Sequence, residues 1–459
     1  MQHWAEQCIY YHIMIDRFAT GKSRFDIVRG KEYNHSLQDW MGGNLEGIIN
    51  SLGYLQDLGI NALLLTPFFA GKKYHGYWTT DFEQVDPHFG DRHQLIQLIH
   101  CAHHHNISVI MDLPITHCHH EAAIARQSSS SQNSANRDWF CTDDDGNYQG
   151  FFGDCSLPEL NLDHPELRKY LKITIDRWLE LGFDGIRFDH AKRPSLSFWQ
   201  DFTSHLRTNH PQVFLLGENW HDSGEVGSLS RFLHGELNIP LSEALRQFIK
   251  RPTKTSIEAI LTQVHNQQSL RRKGYSLPSF LDNHDMERVA QIADGNKSIL
   301  ALGYLIQFTL PYPPIVYYGS ERAQEQSSVL APGSYERDRH FREPMDWQNG
   351  QGMLQWVKRL TFMRKHYLRW LNQGDFQLDH LDDSTFSYSY TYNDCRFAIY
   401  NNYTPQPKRM SLPSGLFTLV TDQNCSCHID KQKQCLQLDA YSGAVVKLNY
   451  TPKPMMRNR

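Results

Sequence analysis

The sequence predicts an α/β fold, most simply a (β/α)8 TIM barrel, and three observations carry that prediction. Apolar strand-like runs alternate with helical periodicity through roughly the first 370 residues, which implies a parallel sheet covered by helices. No glycine-rich phosphate loop follows any strand run, so a doubly wound open sheet is the runner-up. From about Asp375 the pattern becomes short alternating runs, such as Thr385–Thr391 and Arg396–Tyr400, which read as a small antiparallel β domain.

The elements follow in order. A first strand over Ile9–Ile15 leads into a polar loop to about Gly43, a helix over Leu45–Leu58 and a second strand over Asn61–Leu65. A helix over Asp91–His105 precedes a third strand over Ser108–Leu113, and a long polar stretch from His117 to about Asp163 reads as a functional loop or small insert. The helix over Pro165–Leu181 takes Asp163 as its N-cap, with Asn161 the rival. The fourth strand ends in Gly185-Ile-Arg-Phe-Asp189, a helix covers Ser195–Arg207, and the fifth strand is Val213–Glu218. A sixth strand is expected near Leu237–Pro240, with helices over Ser242–Lys250 and Thr255–Gln267. Leu277–Leu281 and Ile315–Tyr318 make the seventh and eighth strands, separated by a mostly helical Ala290–Leu310 and closed by a helix over Leu354–Leu371.

A net charge of −4 over 459 residues suggests no polyanion or membrane-surface partner. No apolar run is long enough to span a membrane, and the first residues lack a secretory pattern, so a cytoplasmic protein is expected. Nine scattered cysteines fit reduced thiols better than a disulfide framework. Cys425, Cys427, His428 and Cys435 cluster in sequence but fit no zinc template.

Chemistry in such a barrel belongs at the C-terminal strand ends. Asp112 with Thr116 and His117 ends strand three, Arg187 and Asp189 strand four, Glu218 strand five, and Asp282-Asn-His-Asp285 strand seven. Arg187 and Asp189 share a strand face, so the guanidinium is expected to hold the carboxylate ionised. Taken alone this pair favours a structural ion pair at a strand end, since such networks also perturb pKa values. Asp189, Glu218 and Asp285 at one mouth, however, allow one carboxyl to stay protonated as an acid while another acts as nucleophile, as glycoside hydrolysis requires. Metal-assisted hydrolysis uses similar residues but lacks histidines at ligand spacing here.

These motifs carry a resemblance to the α-amylase family of retaining glycoside hydrolases and glucanotransferases, over nearly the whole chain. They are Tyr74-His-Gly-Tyr-Trp78, Asp86-Pro-His-Phe-Gly90, Asp112-Leu-Pro-Ile-Thr-His117, Leu157-Pro-Glu-Leu-Asn161, Gly185–Asp189, Gly217-Glu218, Phe280–Asp285 and Arg342–Trp347, in the family's order. The resemblance implies a barrel over 1–117 and 164–374, an inserted domain over 118–163, a C-terminal antiparallel β-sandwich over 375–450 and a tail over 451–459. It implies Asp189 as nucleophile, Glu218 as general acid and base, and Asp285 as the carboxylate that holds the distorted sugar. It further implies sugar contacts from Tyr77, Trp78, His117, Arg187 and His284, with Lys192 on the leaving side.

The expected substrates are α-1,4-linked maltooligosaccharides and dextrins from starch or glycogen. The alternatives are 4-α-glucanotransfer, cyclomaltodextrinase, neopullulanase or α-glucosidase specificity, and a non-catalytic amylase-like subunit. No nucleic acid, membrane or cofactor is expected. Many relatives hold a structural Ca²⁺ at the positions of Thr116 and Glu159. Thr is a poor hard-ion ligand and Arg193 adds a cation, so that site is expected to be weak or missing.

Overall fold

The computed structural model describes residues 4–22, 40–129, 136–220, 226–327, 338–413, 416–423, 427–430 and 434–449. Much of the polar loop before Gly43, His221, Cys425, the His428 side chain and the 451–459 tail lie outside the described residues.

The barrel strands are β1 (Tyr10–Ile13), β2 (Ala62–Leu65), β3 (Ser108–Leu113), β4 (Gly185–Phe188), β5 (Phe214–Gly217), β6 (Gly235–Glu236), β7 (Ser279–Phe280) and β8 (Pro314–Tyr317). β1 to β6 pair in parallel in chain order, β7 pairs with β8, and β8 returns to β1. A parallel bridge between Gly235 and Ser276 closes the ring between β6 and β7, with the Asn238 N–H donating to the Pro278 carbonyl at 2.9 Å. Period-2 alternation divides the side chains. Tyr10, Leu64, Ile110, Leu216, Phe280 and Ile315 fill the lumen, whereas Leu63, Val109, Ile186 and Leu215 face the helices. Burial of each such side chain stabilises the fold by about 1.5–3 kcal/mol relative to exposure.

Several helices start as their sequences dictate. Asp91 and Gln94 form a reciprocal capping box, and Ser195 accepts from the Phe198 N–H at 3.0 Å. Other expectations need correcting. The helix Pro165–Leu179 begins after His164, with Pro165 at its first turn and no side-chain cap. The Asp163 carboxylate instead binds Arg168 and the Ser195 hydroxyl. Leu237–Pro240 is not the sixth strand: β6 ends at Glu236, Asn238 caps the Leu241 N–H, and Ile239-Pro240 opens the helix Ile239–Lys250. The helical stretch expected over Ala290–Leu310 is split into Val289–Ile292 and Lys297–Thr309, because Asp294 and Gly295 adopt φ of 49° and 73° and Asn296 caps the second helix.

After β3, a short helix (Ala123–Ser129) and a hairpin (Gly150–Phe151 with Asp154–Pro158) form the insert, tied back by the bridge between His117 and Glu159. Beyond the helix Gln351–Gln373, strands β9–β16 form two antiparallel sheets: β9 (Asp375–Leu381), β10 (Thr385–Tyr392), β11 (Cys395–Asn402), β12 (Lys408–Ser411), β13 (Leu416–Asp422), β14 (Cys427–Asp430), β15 (Cys435–Leu438) and β16 (Ser442–Asn449). Their orders are β9-β10-β11-β16-β13 and β12-β15-β14. Ala398, Tyr400, Met410, Leu436 and Val446 from both sheets share one core, a sandwich, while Phe397 and Ile399 on the opposite face join the barrel's core. Cys427 and Cys435 face Leu438 and Asp430 across β14–β15, so this pair does not converge on a metal. Among the described residues no helix is long and apolar enough to cross a membrane.

Candidate active site

β3, β4, β5 and β7 carry Asp112, Arg187, Asp189, Glu218 and Asp285 to the same barrel mouth, as strand ends in register must. Arg187 is buried to 1% exposure and acts as the hub. Its Nη1 donates to both Asp112 oxygens at 2.7 Å and to Asp189 Oδ1 at 2.8 Å, and its Nη2 lies 2.5 Å from Glu218 Oε1. Carboxylate oxygens of Asp189 and Glu218 come within 4.8 Å of each other. Asp285 sits across the mouth, bound by Arg342 Nη2 at 2.8 Å and His284 Nε2 at 3.1 Å.

This geometry changes the electrostatic expectation. One guanidinium serves three carboxylates, with a fourth nearby. Burial, and then the charges of Glu218, Asp112 and Asp285, push Asp189 well above the usual aspartate range, against the pull of Arg187. Arg187 therefore works against burial and three neighbouring carboxylates in holding Asp189 ionised. Asp285 moves the other way. Burial opposes it, but His284, Arg342 and Arg187 keep its carboxylate ionised.

The remaining expected residues line one cleft with two lobes. The first, of about 570 Å³, is walled by Tyr77, Trp78, His117, Asp189, His284 and Asp285. The second, of about 610 Å³, is walled by Lys192, Glu218, Trp220 and again Asp285. The Tyr77 hydroxyl donates to Asp112 at 2.7 Å and its ring stacks on His284 at 5.1 Å, which takes one of its faces. The His117 ring lies on Phe151 at 4.1 Å, and its Nε2 meets the Tyr77 carbonyl at 2.9 Å.

Burial lowers His117 to about 4 and drives the buried His12 well below its ordinary value, the latter helped by His284 and Arg187. Both rings are neutral in the fold yet take a proton in the unfolded chain below about pH 6.5. Their contribution to stability is thus complete above that pH and is lost as pH falls towards the folded values. The melting temperature is expected to fall as pH drops from 6.5, and less steeply in His117→Asn. Parallel slopes for the two proteins would remove His117 from this account.

The residues at the family's calcium position do not fit the ion. The Glu159 carboxylate is paired with the Arg193 guanidinium, and the Thr116 hydroxyl engages His117 Nδ1 at 3.1 Å. Sequence reasoning gave no role to Arg342, His190, Phe151 or Phe152. Arg342 opens the Arg342–Trp347 motif, so a signal existed. The two phenylalanines lie in a polar stretch whose pattern has no period to expose them.

Residues 12–367 match the alpha-amylase catalytic domain. The chain belongs to the alpha-amylase family. It is 30% identical over 368 residues to alpha-amylase 2 of Dictyoglomus thermophilum, covering 79% of this chain and 64% of that relative. It is likewise 30% identical over 397 residues to the intracellular maltogenic amylase of Bacillus subtilis, covering 83% and 65% respectively. The chain therefore spans about two thirds of the length of these family members. The crystal structure of an alpha-amylase from Geobacillus thermoleovorans, complexed with acarbose, superposes with a TM-score of 0.81 at 27% identity, covering 98% of this chain and all of that one.

Proposed function

We propose that the protein hydrolyses α-1,4-glucosidic bonds of maltooligosaccharides and dextrins with retention of anomeric configuration. The observation that carries this reading is the approach of Asp189 and Glu218 to within 4.8 Å on one guanidinium, facing Asp285. Retaining enzymes place their two carboxyl groups about 5–5.5 Å apart, whereas inverting ones leave room for a water at roughly 6.5–9.5 Å. Related proteins named cyclomaltodextrinase and maltogenic amylase support the substrate class.

In this mechanism Asp189 attacks the anomeric carbon while Glu218, in its acid form, gives its proton to the departing glycosidic oxygen. Glu218 then takes a proton from water, which attacks the same carbon and releases Asp189. Asp285 binds the ring hydroxyls. His284 hydrogen-bonds the sugar in the first lobe, with Tyr77, Trp78 and His117 lining it, and Lys192 contacts the leaving side; both His117 ring nitrogens are already engaged, by Tyr77 and Thr116.

Incubation with maltoheptaose and with pullulan tests the reading. Maltose- and glucose-sized products are expected, and cleavage of neither substrate alongside turnover of sucrose or trehalose would sink it. The division into barrel, insert 118–163 and sandwich 375–450 is our own reading of the fold. The relative named as intracellular supports a cytoplasmic location. Because Arg193 already neutralises Glu159, chelation by EDTA is expected to leave activity and melting temperature unchanged. Loss of activity in EDTA restored by Ca²⁺ would reverse this.

A further inference from the structure

The inserted hairpin turns through Phe152 and Gly153, both at positive φ (50° and 82°), with the Gly153 N–H donating to the Gly150 carbonyl at 2.8 Å. Such a turn suits glycine and asparagine, and a phenylalanine there is uncommon. The two neighbouring rings part company. Phe151 packs inward on His117, while Phe152 stays 64% exposed. The Phe152 ring is nevertheless held in place. It meets Phe151 at 4.6 Å and His190 at 5.2 Å, and the Arg193 guanidinium lies 5.4 Å from its centroid.

The location is informative. Phe152 borders both lobes of the cleft, as do His190 and Asp285. It therefore stands over the seam between the lobe that contains Asp189 and the lobe that contains Glu218, Lys192 and Trp220. His190 follows Asp189 in the chain, and its N–H reaches Glu218 Oε2 at 3.4 Å. An exposed ring that buries little in the protein, yet is fixed in an unfavourable backbone conformation on the wall of both lobes that hold these carboxylates, is placed to contact a ligand. Its flat apolar face suits the C–H face of a pyranose.

We propose that Phe152 is a specificity-determining residue that holds a second α-glucan chain in the leaving-side lobe, which Trp220 also lines, and so diverts the glycosyl–Asp189 intermediate from water to a sugar acceptor. The inference rests on the function proposed above. In the transfer step an acceptor hydroxyl gives its proton to Glu218, its oxygen bonds the anomeric carbon, and the ester bond to Asp189 breaks. Hydrolysis differs only in that water replaces the acceptor. A ring that binds the acceptor while shielding the carbon from water raises the first outcome over the second.

The test compares wild type, Phe152→Asn and Phe152→Trp on concentrated maltotriose. Asn retains the tolerance for positive φ without the aromatic face, and Trp retains the face. The measured quantity is the ratio of transfer products longer than the substrate to new reducing ends, which does not depend on how much of a variant folds. Asn is expected to lower this ratio by roughly three- to tenfold, the effect of losing one aromatic contact, and Trp to retain at least half of it. An unchanged ratio in Asn, a ratio in Trp as low as in Asn, or hydrolysis products alone from the wild type would each overturn the inference. A wild type that cleaves no α-glucan removes the functional reading as well, so the two failures are distinguishable.

Discussion

Asp189→Asn is expected to reduce turnover by roughly four to six orders of magnitude while melting no lower than the parent protein at pH 7. The loss follows because an amide cannot form the glycosyl ester. The stability expectation follows from the site. Burial, with Glu218, Asp112 and Asp285, raises Asp189 in the fold above its value in the unfolded chain. A raised acid contributes its stabilisation at low pH, and that contribution is lost as pH rises through the folded value. Asn resembles the neutral acid and escapes this loss, so the variant's advantage in melting temperature should grow from pH 5 to pH 8. The parent carries the ionised group because the chemistry needs it, a case of function set against stability. Measurable turnover in the Asn variant, or a melting temperature that falls increasingly below the parent's with pH, would return the Arg187–Asp189 pair to a structural role.

What could be read from the chain depended on which physical signal each part carries. Strand periodicity and the polar residues at strand ends located Asp112, Arg187, Asp189, Glu218 and Asp285, because parallel strands of one barrel deliver their C-terminal ends to one face. Local rules failed where a tertiary partner outbid them. Asp163 had the composition of an N-cap but is taken by Arg168 and Ser195 across the helix pair. β6 is two residues long and carries no period, so the apolar Leu237–Pro240 beside it drew the assignment. The sharing of Arg187 among three carboxylates could not be read at all, since i and i+2 spacing reveals Asp189 but not Asp112 or Glu218 on neighbouring strands. The Phe151–Phe152 turn was missed for a related reason: its meaning comes from the cleft it overhangs.

That sharing makes Arg187 the position of largest expected structural effect. It is the cation that touches Asp112, Asp189 and Glu218, and it also lies 6.0 Å from the centroid of the Tyr77 ring. Removing one partner from a buried ionic cluster strands the others without compensation, at a cost of about 3–5 kcal/mol. Arg187→Met is therefore expected to lose activity and to melt far below the parent at pH 7. Lowering the pH lets the stranded carboxyls take up protons, so the gap between the two melting temperatures should narrow towards pH 4.5. Arg187→Lys separates charge from geometry. A single ammonium cannot span three carboxylates as a planar fork does, so Lys should recover part of the stability but little of the activity. Combining Arg187→Met with Asp189→Asn removes one stranded charge, and the double variant should melt above the Arg187→Met single variant. A Met variant that melts with the parent at every pH would mean that Arg187 does not compensate these buried carboxylates, and its place as the hub of the cluster would fall.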